Sequence, residues 1–216
     1  MVTEFTFVRH GETDANLNGI LQGGNSDIPL NSVGREQARV AAGYLRGAVF
    51  DAAFCSDLSR AVETAREILA LHPGVALHPA PQLREWDCGE MAGLSWAEIK
   101  RRFPEESRAF FIENSTAAMP GGESRGEFQR RVDDFLRRLV REYPGKKILL
   151  VSHGGVLQRI FRFVTGMVAD GNLIPLAGNA SVSTFLHRDD YDAWQLTSWN
   201  RNDHLKGLPQ HQTRVL

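Results

Sequence analysis

The chain has 216 residues, enough for one domain or slightly more and for a core that needs no metal or disulfide to hold it. Lys and Arg total 25 against 26 Asp and Glu, so a formal net charge of -1 supplies no field to attract nucleic acid or an anionic membrane surface. Apolar residues at 42% and charged residues at 24% exclude wholesale disorder.

Cys55 and Cys88 form no CxxC, which argues against a disulfide framework or a cysteine zinc site and for a reducing compartment. Glu4 and the Arg9-His10 pair are out of place in a signal peptide. The uncharged stretch 68–83 contains Pro73, Pro79 and Pro81 and so does not read as a membrane span. A soluble, cytoplasmic protein with neither a nucleic-acid nor a membrane partner is expected.

Phe5, Phe7 and Val8 make a strand-like run that stops at Arg9-His10-Gly11. A polar loop over 16–31 leads into a helix over 33–45, with Asn31 or Ser32 as its cap. Residues 52–55 read as a short buried strand. Ser56 and Asp57 offer caps for a helix reaching residue 70, with Ala61, Ala65, Ile68 and Leu69 turned inward. Residues 75–77 are a weaker strand, flanked by prolines.

From 86 to 122 the pattern is irregular and aromatic, carrying Trp96, Phe103, Phe110 and Phe111, and it reads as an excursion from the core. A strongly amphipathic helix comes next, marked by Phe128, Val132, Phe135, Leu136, Leu139 and Val140, and Tyr143-Pro144-Gly145 ends it. Residues 148–151 form the clearest strand and run into Ser152-His153-Gly154-Gly155 and another helix. Segments 181–187 and 193–199 look like the arms of a terminal hairpin. The expected fold is an α/β/α sandwich of three layers around a mostly parallel sheet, with the hairpin at one edge. One domain would span 1–206, with a lid-like insertion over 86–122 and a frayed tail over 207–216.

In such sheets ligands sit beyond the carboxyl ends of the strands. Arg9-His10-Gly11 lies at the end of the first strand, Ser56-Asp57 with Arg60 one turn later comes after the second, and Ser152-His153-Gly154 ends the best one. Two arginines and two histidines on one rim, beside glycines and helix N-termini, suit a tetrahedral dianion. A histidine there could donate to the anion or attack phosphorus as a neutral nucleophile, and neighbouring arginines favour the uncharged ring. Glu85, in the loop after the weak third strand, could serve as the acid for the departing alkoxide. Taken singly, each of these residues is more often structural or surface than functional. The combination carries the signal.

Seven segments in order are similar to the histidine phosphatase, or phosphoglycerate-mutase-like, superfamily. They are FVRHGET at 7–13, LQGGNSDIPLNSVGREQA at 21–38, CSDLSRAVETA at 55–65, LREWDCGEMAG at 83–93, PGGES at 120–124, VSHGG at 151–155 and NASVS at 179–183. The resemblance implies that His10 is the phosphorylated nucleophile. It makes Arg9, Arg60 and His153 the rest of the phosphate pocket, and Glu85 the proton donor. Asn16 and Gln22, with Gly23 and Gly154 beside them, fall at positions on the substrate side. The family needs neither metal nor other cofactor, and the chain carries no HExxH, DxDxDG or Walker lysine pattern.

Three functions are then open: a phosphomonoester phosphatase, a cofactor-dependent phosphoglycerate mutase, and a phosphate-binding pseudoenzyme. The last is disfavoured because every matching catalytic position is filled. In the mutases the acid is succeeded by Arg, His, Tyr and Gly, whereas Glu85 is succeeded by Trp86, Asp87, Cys88 and Gly89. An extra carboxylate would repel an anionic glycerate, which favours the phosphatase. The basic run Lys100-Arg101-Arg102 reads as a solvated helix face. The aromatic insertion either glues the excursion to the core or walls the leaving-group pocket. The terminal hairpin could be an exposed edge or the contact of a homodimer.

Overall fold

The computed structural model describes residues 1–111, 118–167 and 174–209. Six strands form one sheet: β1 (Val2–Arg9), β2 (Ala52–Cys55), β3 (Leu77–Pro79), β4 (Lys147–Ser152), β5 (Val182–Arg188) and β6 (Ala193–Arg201). Their spatial order is β3-β2-β4-β1-β5-β6. The first four run parallel, while β5 and β6 are an antiparallel hairpin at one edge. The third strand lies two residues later than the sequence pattern places it, because Leu77–Pro79 is the stretch that pairs with Ala53–Cys55.

Alternation along the central strands divides the core into two layers. Phe5, Phe7, Ile148 and Leu150 face one side, against Val132, Leu136 and Leu139 of α6 (Arg125–Glu142) and Val156, Leu157 and Ile160 of α7 (Gly154–Thr165). Val8, Leu149 and Val151 face the other side. There they meet Ala42 and Leu45 of α2 (Ser32–Leu45) and Ala61, Ala65 and Ile68 of α3 (Ser59–Leu69). The three-layer sandwich is therefore the observed architecture. Leu69 is only half-buried, because the α3 stripe that meets the sheet runs through Ala61, Ala65 and Ile68.

Side-chain caps set the starts of α2 and α6. Asn31 caps α2 by accepting from Gly34 N at 2.8 Å. Ser124 caps α6 in a reciprocal box with Glu127. The third helix, by contrast, begins after Leu58 and has no side-chain cap, since Ser56 and Asp57 are engaged elsewhere. The Ser56 hydroxyl accepts from Leu58 N at 3.3 Å, and the Asp57 carboxylate takes a two-pronged contact from Arg84 at 2.7 Å.

The short α1 is Asp14–Leu17, and Ile20 just after it bridges to Ser95 of the excursion, whose described residues form the α-helices α4 (Trp96–Arg102) and α5 (Pro104–Phe111). Cys88, Met91, Ile99, Phe110 and Met119 make a separate apolar cluster, on which Trp96, Phe103 and Phe111 pack half-buried. Lys100, Arg101 and Arg102 are exposed. Among the described residues no helix is long and apolar enough to cross a membrane.

Candidate active site

Strand register puts the two histidines side by side. Arg9 is paired with Ser152 across the parallel β1–β4 ladder, so His10 and His153 leave the sheet together. Their ring centroids are 5.1 Å apart with the planes inclined at 59°. His10 N still donates to Ser152 O at 2.9 Å, which carries the ladder one residue past the strand end.

The His10 ring is held in one orientation. Its Nδ1 lies 2.7 Å from the carbonyl of Gly11, so Nδ1 carries the proton and Nε2 keeps its lone pair. Gly11 is the residue that permits this turn, because a Cβ there would fall well inside contact distance of the Gly34 backbone on α2. Gly11 N in turn donates to Thr64 Oγ1 at 3.1 Å, and the Thr64 hydroxyl donates to Arg60 O at 2.8 Å.

Arg60 projects from the first turn of α3 and is fully buried. Its guanidinium spans the site, with Nε donating to His153 Nδ1 at 3.2 Å, Nη1 to Ser26 O at 2.8 Å and Nη2 to Gly23 O at 3.4 Å. Because His153 Nδ1 accepts, the neutral ring carries its proton on Nε2, a buried atom with no hydrogen-bond partner among the described residues. Arg9 Nη1 donates to Ala177 O at 2.6 Å. His153 is also the N-cap residue of α7, so the positive end of that helix points into the same space.

Burial, and then the adjacent Arg60 and Arg9 charges, push His10 well below its ordinary pKa. His153 is depressed in the same direction, first by burial and then by Arg60, His10 and Arg9. Both arginines are lowered to about 10, chiefly by burial, with Glu85 opposing the shift, so both remain charged at neutral pH. Two neutral imidazoles and two guanidiniums thus share one buried rim.

Glu85 sits half-buried opposite them. Gly155 N donates to its Oε2 at 3.0 Å and Trp86 N to its Oε1 at 2.9 Å, which fixes the plane of the carboxyl group. A Cβ on Gly155 would collide with that carboxyl group, so the first turn of α7 is shaped around it.

This geometry can be compared with known proteins. The profile of the histidine phosphatase superfamily (branch 1) matches residues 5–202. The chain belongs to that superfamily. A metal-independent phosphoserine phosphatase of Arabidopsis thaliana is 35% identical over 96% of this chain and 85% of its own. The phosphatase PhoE of Bacillus subtilis is 30% identical over 96% of this chain and 99% of its own. Among solved structures, the alpha-ribazole phosphatase of Shigella flexneri superposes with a TM-score of 0.82 at 29% identity, covering 92% of this chain and 96% of that one. These curated relatives are named as phosphatases, and the chain stands with them among the phosphoric monoester hydrolases.

Within this histidine phosphatase fold Arg9, His10, Arg60 and His153 share the rim with Glu85 facing them, and Asn16 and Gln22 connect to it through other side chains. Asn16 Oδ1 accepts from Asn179 Nδ2 at 3.2 Å, and the same amide lies 3.1 Å from His10 O. The Thr13 hydroxyl lies 3.0 Å from Gln22 Oε1 and 3.1 Å from Asn16 Oδ1, with one proton to give to either. Gly23 contributes its carbonyl to Arg60, and Gly154 packs against the Arg9 guanidinium, where an added Cβ would touch Cζ at 3.5 Å. Sequence reasoning missed Thr64, Gly155 and the Ala177 carbonyl. Only Gly155 left a trace in the sequence, as the second glycine after His153.

Proposed function

We propose that the protein is a metal-independent phosphomonoester phosphatase acting through a phosphohistidine on His10. The observation that carries this reading is the His10 tautomer. With Nδ1 bound to Gly11 O, the unprotonated Nε2 of a ring kept neutral by burial is a ready nucleophile. Arg9, Arg60 and the Nε2–H of His153 hold the phosphoryl oxygens and take up charge as it develops.

In the first half-reaction His10 Nε2 bonds to phosphorus, the ester P–O bond breaks, and the Glu85 carboxyl group passes its proton to the leaving oxygen. The alcohol departs. In the second, water attacks phosphorus, its proton goes to the Glu85 carboxylate, and the N–P bond breaks to restore His10 and release phosphate.

Hydrolysis rather than mutase chemistry is supported by Trp86 and Asp87, the two residues after the acid. Trp86 stacks on Phe128 and spends its indole N–H on Glu123 O at 2.9 Å, so it offers the leaving group no charged donor. Asp87 closes a turn by accepting from Gly89 N at 2.9 Å. The similarity to a phosphoserine phosphatase supports a small alkyl phosphate as substrate. In this reading residues 1–206 are one catalytic unit and 86–122, with its separate apolar cluster, is the lid.

The test is phosphate release by chelator-treated protein from 4-nitrophenyl phosphate, phosphoserine and 3-phosphoglycerate, the last with and without a bisphosphoglycerate primer. Release from several esters without isomerised glycerate is expected. Primer-dependent isomerisation with little free phosphate would replace this reading with a mutase. His10→Ala should lower turnover by at least about a thousand-fold and remove the acid-labile phosphoprotein. Wild-type-like activity in that variant would reject His10 as nucleophile.

A further inference from the structure

The acid lies just past a single 3-10 turn at Pro81–Leu83, and residues 82–86 have no ladder to satisfy their carbonyls. All five carbonyls are nonetheless occupied. Ser152 Oγ donates to Leu83 O at 2.7 Å, and Gly24 N to Trp86 O at 2.8 Å. The other three go to one side chain. Arg131, on the inward flank of α6, directs Nη1 to Gln82 O at 2.9 Å and Arg84 O at 3.0 Å, and Nη2 to Glu85 O at 3.4 Å. The guanidinium is itself held by a fork from Glu123, at 2.9 Å to Nε and 2.8 Å to Nη2. Only 21% of the Arg131 side chain and 16% of Glu123 remain exposed. Glu123 O also holds the Trp86 indole, so one acidic residue and one basic residue tie α6 to both sides of Glu85.

We infer that Arg131, braced by Glu123, is a positioning residue for Glu85: it sets where the carboxyl group stands relative to the leaving oxygen, without touching substrate itself. The inference rests on the proton-donor role of Glu85 proposed above. A planar guanidinium with five N–H groups can serve three carbonyls and a carboxylate at once, whereas a lysine ammonium has three donors and no fork. Proton transfer in the transition state tolerates little displacement of the acid, and a shift of about 1 Å can cost roughly a hundred-fold.

The readout is the ratio of kcat/KM for an alkyl ester, phosphoserine, to kcat/KM for 4-nitrophenyl phosphate. The nitrophenolate leaves without a proton and the alkoxide does not, so the ratio reports the acid alone. Because both esters are measured on one preparation, a loss of folded protein cancels. In Arg131→Lys the ratio should fall at least ten-fold, and Glu123→Gln should lower it in the same direction. In a Glu85→Gln background, adding Arg131→Lys should change the alkyl-ester value by less than three-fold, because the two residues act through one group.

A merely structural arginine would lower both esters by a common factor and multiply with Glu85→Gln, and that result would overturn the inference. Should Glu85→Gln lower the ratio while Arg131→Lys and Glu123→Gln leave it unchanged, the positioning role falls and the proton donor stands. A ratio unmoved by Glu85→Gln itself removes both.

Discussion

Arg60 ties together two parts of the site that are far apart in sequence. Its fully buried guanidinium joins the Gly23–Ser26 loop to His153 and fixes the His153 tautomer, so its removal affects both a charge and a donor. Arg60→Ala should weaken inhibition by inorganic phosphate by about 3 kcal/mol, or roughly a hundred-fold, the scale on which a desolvated charge pair is lost. A phosphate inhibition constant within two-fold of wild type would place Arg60 outside the anion site. His10 makes the complementary point. Its ring nitrogen is oriented by a backbone carbonyl rather than by a carboxylate, so no neighbouring negative charge raises its pKa.

At the level of elements, the start of α7 does two jobs. It places His153 at its N-cap position, and Gly155 supplies an N–H to Glu85 at a place where no side chain fits. Gly155→Ala should therefore displace the carboxyl group and lower alkyl-ester turnover by about ten- to a hundred-fold, with a smaller loss for 4-nitrophenyl phosphate. Equal losses on both esters would show that the acid finds another position.

The elements that carry the site were legible in the sequence because their signals are local. Short apolar runs mark β1 and β4, the run 125–142 has a clear apolar stripe, and charged or imidazole residues at strand ends stand out against those runs. The illegible parts depend on partners far away in the chain. Ser56 and Asp57 look like caps until Arg84 claims the carboxylate, and 75–77 looks like the third strand until pairing with β2 selects Leu77–Pro79. Thr64 and Arg131 read as ordinary helix residues, and only the folded chain brings one to Gly11 and the other to the carbonyls beside Glu85. The aromatic insertion divides similarly. Phe110 is buried against Trp86 and Phe111, which makes it part of the excursion's own core, while Trp96 and Phe111 line a cavity of about 230 Å³ with Ile99, Lys100, Pro104, Ser107 and Arg108.

For the molecule as a whole, keeping two imidazoles neutral ties stability to pH. His10 and His153 have folded-state pKa values depressed by burial and by the arginines, whereas in the unfolded chain each takes a proton near pH 6.5. Below that point the unfolded state binds more protons than the folded state, so stability is full above about pH 6.5 and declines as the pH falls. Each histidine can contribute up to about 1.4 kcal/mol per pH unit to the slope. Urea unfolding between pH 7.5 and 5.5 should show this decline, and it should be shallower in His153→Gln. A flat profile in the wild type would mean that both rings charge within the fold.

The strand order also has a consequence for biosynthesis. His10 follows β1, which lies between β4 and β5 although both are made after it, and the β1 arginine waits for the carbonyl of Ala177. At about 5–20 residues per second, His10 exists for roughly ten to thirty seconds before its neighbours have been made. A nascent or prematurely ended chain lacking β4 carries His10 without the partner histidine that stands beside it in the fold. The anion pocket is therefore assembled only after His153 and Ala177 have been synthesised.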